Sequence, residues 1–310
     1  MPPHAAAPRM GAPEWFALLA LSSLWGGSFF FYKVLVQELP PFTVVLGRVS
    51  IAALALHLLL LARRDPLILT LQQWKSFLVL GLLNNVIPFS LIAFGEIRIA
   101  SGSAAILNAT TPIFTILVAH FLTSDEKITA AKGVGVLAAF LGVAVLIGPA
   151  ALSGFGQGDL LGDAACLLAA AVYSLGAIFG RRFKGIPPLK IATAQVTAAT
   201  IILIPLTALV DRPWALPMPS PGAWAALLAI ALLSTSLAYL LFFRILAVAG
   251  ATNLVLVTFL LPGSALILGA LFLDETVTLR ALMGLALIGL GLAAIDGRPW
   301  GVARRLLDAR

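Results

Sequence analysis

Long apolar runs separated by short polar connections dominate the pattern of residues along the chain. Residues 76–95, 99–124 and 191–210, for example, contain no Lys, Arg, Asp or Glu. A helix of about 20 apolar residues crosses the roughly 30 Å hydrocarbon core of a membrane. The pattern therefore predicts an all-α membrane protein with ten transmembrane helices, near residues 15–36, 42–62, 74–94, 100–121, 130–148, 159–181, 188–209, 222–245, 252–272 and 279–296.

Composition agrees with this assignment and narrows the function classes. Hydrophobic residues make up 61% of the 310 positions and charged residues 11%, with a mean hydropathy of +1.05, whereas soluble domains carry about 25% charged residues. The chain has a formal charge of +7, but most of its basic residues lie in short connections between apolar runs and form no nucleic-acid-binding motif. His4, His57 and His120 lack metal-ligand spacing. We therefore expect the lipid bilayer and a small-molecule substrate as partners, with no nucleic acid, no metal and no cofactor. The oligomeric state is left open.

The distribution of basic residues predicts the orientation. If the N-terminus is cytoplasmic, 15 Lys and Arg residues lie in the inner segments and 4 in the outer ones. Such a bias indicates that both termini face the cytoplasm, and we expect a multi-pass protein of a bacterial inner membrane. The first fourteen residues lack the apolar run of a signal peptide. The predicted extramembrane parts are a cytoplasmic N-terminal tail at 1–14, a periplasmic linker at 149–158 and a basic cytoplasmic tail at 297–310.

The chain also repeats itself at a nearly constant offset. Pro112 is matched by Pro262 at 150 positions, and the turn at 126–129 is matched by 275–278 at 149. Each repeat has five predicted helices, an odd number, so the second is inverted in the membrane, as in many secondary transporters. The predicted repeats comprise residues 15–148 and 159–296. Glycines expected to allow close packing of helices 5 and 10 are Gly135, Gly142, Gly284 and Gly291.

Several short motifs, taken in order, resemble the EamA-type transporters of the drug/metabolite transporter superfamily. They are Trp25-Gly26-Gly27-Ser28-Phe29, Arg48, Asn108-Ala109-Thr110-Thr111-Pro112, Leu261-Pro262 and the acidic turns Asp125-Glu126 and Asp274-Glu275. The resemblance extends from Trp15 to Ile295. It implies a ten-helix, exporter-like fold whose central cavity is lined mainly by helices 1, 3, 4, 6, 8 and 9. Among such proteins the chain is most similar to amino-acid exporters, including the aromatic amino acid type.

Polar and aromatic residues in the middle of the predicted helices are the candidates for substrate binding. Prolines and polar residues interrupt helices 3 and 4, and the backbone groups that they free must be satisfied by protein or by a cavity. Aromatic rings in helices 1 and 6 can contact an apolar solute. Interhelical hydrogen bonds and ordinary helix packing are the alternative roles. The candidate residues are Trp25, Ser28, Asn84, Phe89, Asn108, Thr111, Tyr173, Ser236, Tyr239 and Asn253.

Arg48 lies about two turns inside predicted helix 2, where an ionised side chain needs a partner or water. Glu96, which ends predicted helix 3 on the same side, is the nearest candidate partner. Arg48 is expected to form a structural ion pair, to extend its charged end toward the outer surface or to bind a substrate carboxylate. The matching position in the second repeat is Gln195, so the predicted site is not symmetric in charge.

These features favour a secondary transporter that works by alternating access and exports amphipathic solutes, most of all amino acids and among them aromatic ones. A passive channel or a membrane assembly factor is the alternative. An intramembrane enzyme is disfavoured because the sequence shows neither a nucleophile–base pair nor a metal cluster. The acids Glu96, Asp163 and Asp296 are expected near helix ends. Facilitated flux is therefore favoured over strict proton coupling, which relies on a buried titratable group.

Single cysteines test the predicted orientation. Cysteines placed in 149–158 should react with a membrane-impermeant maleimide added to intact cells, whereas cysteines placed in 182–187 should react only after the membrane is opened. The opposite labelling pattern would show that both termini lie outside the cytoplasm.

Overall fold

Helices make up nearly all of the computed structural model, which describes residues 11–122, 128, 130–147, 158–254 and 256–296. No β-strand occurs in these residues. The helices are α1 (Ala12–Leu35), α2 (Pro41–Ala62), α3 (Leu71–Glu96), α4 (Ser101–Leu122), α5 (Ala130–Ile147), α6 (Gly158–Gly180), α7 (Pro188–Val210), α8 (221–254), α9 (Val257–Phe272) and α10 (Leu279–Asp296).

Seven of the described helical segments are long and apolar enough to cross a membrane, and they include α1 to α4, α7 and most of α6 and α8. Three shorter apolar segments, Gly133–Leu146, Leu260–Phe272 and Leu279–Ala294, correspond to predicted helices 5, 9 and 10. The all-α membrane fold is therefore confirmed in the described part of the chain.

The surface of the bundle is apolar as well as its core. On α2, Leu54, Leu58 and Leu61 are exposed while Ala52 and Leu56 are completely buried. A helix that is hydrophobic on all sides suits an environment of lipid on one side and other helices on the other. The outward leucines of α2 therefore mark its lipid face.

One helix boundary differs clearly from the prediction. Residues 252–254 belong to the end of α8, and α9 begins at Val257 rather than near 252. No proline lies between 246 and 254, so nothing there forces the helix to end.

The main packing contacts of the helices are preserved when the two halves are exchanged. The α1 helix packs on α9 and α8, and their counterparts α6, α4 and α3 pack on one another in the same way. The α2–α7, α4–α9 and α5–α10 contacts each join a helix to its own counterpart. This pattern indicates a pseudo-twofold axis between the halves, which, with five helices each, agrees with the predicted inversion.

Glycines bring α5 and α10 into direct backbone contact. A Cβ atom on Gly142 would lie 2.8 Å from the carbonyl oxygen of Gly284, and one on Gly291 would lie 2.5 Å from the carbonyl oxygen of Gly135. No side chain fits at these distances, so the prediction that these glycines serve packing is confirmed.

Two helices contain matched π-helical segments. One is Leu82–Val86 in α3, and the other is Leu232–Leu237 in α8. Their starting positions differ by 150 residues, the offset of the proline match. The polar residues of α3 were expected to interrupt this helix, but it continues through them by widening into a π turn. In α4, by contrast, the predicted break is present at Ala109 and Thr110. Since π turns are frequent at functional sites, the two π segments indicate a functional site at the centre of the bundle.

Two alanine substitutions test the close approach of α5 and α10. Gly142→Ala should lower the melting temperature in detergent, because the new methyl group meets backbone atoms, at a cost of roughly 1–3 kcal/mol. Gly289→Ala on α10 is the matched control, since nothing lies within 4 Å of its added Cβ. It should leave the melting temperature unchanged or raise it, because alanine favours a helix by about 1 kcal/mol over glycine. Equal melting temperatures for the two variants would contradict the packing role.

Candidate functional site

A buried arginine forms the centre of the candidate site. Arg48 is 4% exposed, and its Nε donates to Thr235 Oγ1 of α8 at 2.9 Å. The Thr235 hydroxyl in turn donates to the carbonyl of Ile230 at 3.0 Å. Within the described residues this is the one hydrogen bond of the guanidinium, and no carboxylate contacts it. The remaining N–H groups of Arg48 are therefore not committed to a protein acceptor.

Aromatic rings surround the guanidinium. Arg48 Cζ lies 3.8 Å from the ring centre of Phe89 and 5.1 Å from that of Tyr32, within the range of cation–π attraction. Tyr173 meets Phe89 with ring centres 6.4 Å apart, and Tyr239 is close enough to Arg48 to interact through charge. All three tyrosines of the chain therefore lie around Arg48.

Amide side chains lie beside these rings. Asn84 Nδ2 donates to Gln195 Oε1 at 3.4 Å, and the Asn84 side chain packs against Gly176 of α6. Asn85 is completely buried, and neither of its amide atoms has a hydrogen-bond partner among the described residues, although Tyr239 faces it. The arginine cluster, as we call this group, consists of Tyr32, Arg48, Asn84, Asn85, Phe89, Tyr173, Gln195, Thr235 and Tyr239.

The two central polar contacts lie at nearly equivalent places in the two halves. Arg48 of α2 bonds to the π segment of α8, and Gln195 of α7 bonds to the π segment of α3. Arg48 and Gln195 differ by 147 positions. The same architectural position thus carries a cation in one half and a neutral amide in the other.

The structure brings together four of the predicted substrate-binding residues, Asn84, Phe89, Tyr173 and Tyr239, around Arg48. The ring of Trp25 packs against that of Phe242, with ring centres 5.6 Å apart. Three others donate their hydroxyl groups to nearby backbone carbonyls: Ser28 to Trp25, Thr111 to Asn108 and Ser236 to Ala231. Asn108 Oδ1 has no hydrogen-bond partner among the described residues. The side chain of Asn253 lies outside the described residues.

Comparison with known proteins identifies the family. The EamA-like transporter family matches the chain twice, at residues 13–148 and 160–295. The chain belongs to this family. An uncharacterized transporter of Bacillus subtilis, YoaV, is 25% identical over 276 residues, covering 89% of this chain and 94% of the relative. An uncharacterized transporter of Archaeoglobus fulgidus is 27% identical over 285 residues, covering 90% of this chain and 97% of the relative.

Two further comparisons agree with the membership in the EamA-like family. The inner membrane transporter YedA of Escherichia coli, also uncharacterized, is 25% identical over 197 residues, covering 63% of this chain and 62% of the relative. A crystal structure has a TM-score of 0.65 at 18% identity and covers 92% of this chain and 97% of that chain; at this identity it supports the fold alone. The protein is thus a multi-pass membrane transporter of the EamA-like family.

Sequence reasoning left four members of the arginine cluster out of the predicted site. Asn85, Gln195 and Thr235 carry a recognisable signal, because each lies at or beside a position matched between the repeats. Tyr32 lies seven residues after Trp25 and so nearly on the same face of α1, which was the signal available for it.

The expected pairing of Arg48 with Glu96 is wrong. No hydrogen bond or ion pair joins them in the described part of the chain. Arg48 is instead directed toward the hydroxyl of Thr235 and the face of Phe89, while Lys33 reaches the C-terminal end of α3. Lys33 Nζ donates to the carbonyls of Glu96 and Ile99 at 2.7 and 2.9 Å. Glu96 also ends its helix, as expected, but it is 0% exposed, so a helix-end position did not place it in solvent.

Carboxylates tie the two halves of this EamA-like transporter together at one end of the bundle. We call the end at which α1 finishes and α2 begins the outer end, following the predicted orientation. There, three carboxylates each accept a backbone N–H from the first turn or N-cap of a helix in the opposite half, where the helix dipole favours negative charge. The pairs are Glu38 with Ser220, Asp211 with Thr43 and Glu275 with Ser101.

The most exposed of these ties predicts a dependence of stability on pH. Hydrogen bonds from the hydroxyl and the backbone of Ser220 lower the pKa of Glu38 below its ordinary value. The stabilisation that follows is complete above the ordinary pKa and is lost as the pH falls through the lowered pKa. The melting temperature of the wild type should therefore exceed that of Glu38→Gln at neutral pH, and the difference should vanish in acid.

Ser220→Ala supplies the matched control for Glu38. If the bond is the cause, the effect of Glu38→Gln should be much smaller in the Ser220→Ala background, as in a double-mutant cycle. Equal effects in both backgrounds, or a difference that persists in acid, would rule out the assigned bond.

Proposed function

We propose that this EamA-like transporter is a secondary transporter that exports small amphipathic solutes bearing a carboxylate, and that amino acids, aromatic ones above all, are its substrates. The observation that carries the proposal is the arginine cluster. Among the described residues its guanidinium donates one hydrogen bond, to Thr235, and contacts no carboxylate, so it can bind a carboxylate through two parallel N–H bonds.

The surroundings of Arg48 complete a site for an amino acid. Tyr173 and Tyr239 lie deep in the protein yet keep partial surface exposure, so part of each ring is free to contact a solute. Aromatic side chains of a solute can pack against such rings. The oxygen of the unpaired Asn85 amide is suited to accept a hydrogen bond from an ammonium group.

Alternating access follows from the paired halves. The Arg48–Thr235 and Gln195–Asn84 contacts lie at related positions and join the halves near the middle of the bundle, while the carboxylate ties join them at the outer end. Rocking of one half against the other can expose the cluster to each side in turn. A saturable carrier with both termini in the cytoplasm of a bacterial cell is the form of the mechanism that we propose.

Counterflow in proteoliposomes tests the proposal. Purified protein at equal pH on both sides should exchange labelled L-phenylalanine against an internal pool, with saturation. Phenylpropionate, which keeps the carboxylate, should compete, whereas phenethylamine, which lacks it, should not. Arg48→Gln should weaken the apparent affinity for phenylalanine by roughly 10- to 100-fold, since a hydrogen bond to a charged group is worth about 1.5–3 kcal/mol.

The controls separate binding from folding. Arg48→Lys keeps the charge but loses the planar fork, so it should recover only part of the affinity. Arg280→Gln removes an exposed arginine at the start of α10 and should match the wild type. Flux that rises linearly without saturation, or equal competition by phenethylamine, would overturn the proposal.

A further inference from the structure

A carboxyl group that the proposed binding site does not use lies buried beneath the outer end. Glu96 is 0% exposed, and neither of its carboxyl oxygens has a hydrogen-bond partner among the described residues. An ionised carboxylate without donors is among the most costly groups to bury. The Glu96 carboxyl is therefore held as the neutral acid in this conformation.

Charged and titratable groups of several neighbouring elements surround Glu96. The Lys33 ammonium donates two hydrogen bonds to the backbone carbonyls of Glu96 and Ile99. It therefore lies near the Glu96 carboxyl without bonding to it. The groups that face Glu96 through charge are Lys33 of α1, Arg48 of α2, Cys166 of α6, with Asp163 beside it, and Glu275 of the α9–α10 connection.

Glu275 interacts with Glu96 through charge and also holds the two halves together at the outer end. It accepts N–H groups of Ser101 and Gly102 and the hydroxyl of Ser101, and so closes the second half over the start of α4. A cavity of about 390 Å³ lies at this junction and is lined by Lys33, Arg98, Glu275 and Ala281 among others. If Glu96 were ionised, the cost of burying its charge would be the largest effect, and the charge would be attracted by Lys33 and repelled by the carboxylate of Glu275. Protonation of Glu96 removes both this repulsion and the cost of burying a charge.

We propose that Glu96 is a proton-binding site and that the outer end closes only when Glu96 carries a proton. The carboxylate takes up one proton from water as the outer end closes and returns it to water when the end opens. The binding of a proton thus makes closure depend on pH. This inference takes from the proposed transport cycle only the opening of the outer end. Its test needs no substrate.

The accessibility of Ala281, which is buried in the cavity lining, tests the proposal. Ala281→Cys protein in lipid nanodiscs is labelled with a maleimide over a range of pH, and mass spectrometry separates this site from the buried Cys166. Thiols react faster as pH rises in any case. Met218→Cys, at a side chain that is 84% exposed, therefore supplies the reference rate.

The rate ratio of the two cysteines should rise with pH by up to about tenfold per unit, as expected when one proton is released on opening. Glu96→Gln should hold the ratio low at every pH, because the amide is neutral, while Asp65→Asn, a change in an exposed acid, should leave the wild-type profile intact. If Glu96→Gln fails to fold, Glu96→Asp replaces it and should shift the midpoint.

Three results would overturn the proposal. They are a wild-type ratio that is independent of pH, a Glu96→Gln ratio that follows the wild type, and a Glu96→Asp midpoint that does not move. A failure of counterflow with an intact pH profile would instead count against the proposed substrates alone.

Discussion

Holding the guanidinium of Arg48 inside a membrane without an acidic partner among the described residues is the constraint on which the centre of this protein depends. A charge in that position requires compensation of several kcal/mol, and the structure supplies it from neutral groups. The hydroxyl of Thr235 accepts one hydrogen bond, and the faces of Phe89 and Tyr32 supply negative quadrupole density. A carboxylate would have satisfied the same charge more completely, and it would also have occupied the donors that a solute needs.

The symmetry between the two halves explains where this centre lies, and the difference between Arg48 and Gln195 explains its charge. The contacts Arg48–Thr235 and Gln195–Asn84 join the same helices and π segments in the two halves, although Thr235 corresponds to Asn85, the neighbour of Asn84. A strictly symmetric protein would place two cations or two amides there. Because one half carries Arg48 and the other carries Gln195, the centre has a cationic side and a neutral side, and a solute with unlike ends has a preferred orientation within it.

The sequence was sufficient for the helices, because each apolar run reports directly on the length of a membrane span. It also identified the packing glycines of α5 and α10, since close approach is a local property of glycine. Pairings between side chains were harder to predict. Arg48 and Glu96 are compatible in charge and depth, yet the competing contacts of Arg48 with Thr235 and of Lys33 with the end of α3 arise from helices distant in sequence. The burial of Glu96 was missed for a related reason, since the end of one helix can be covered by its neighbours.

The π segments of α3 and α8 make the number of residues in these helices part of the site itself. Each residue of an α-helix turns the chain by about 100°, and a π turn absorbs one additional residue without ending the helix. Loss of one residue from 232–237 would let α8 return to regular winding with Tyr239 still in phase with the residues before the segment, but the wide turn that holds Thr235 against Arg48 would be lost. The same holds for 82–86 in α3, where the wide turn carries Asn84. These two short stretches should therefore tolerate exchange of side chains better than a change of length, in contrast to the loops that join the helices.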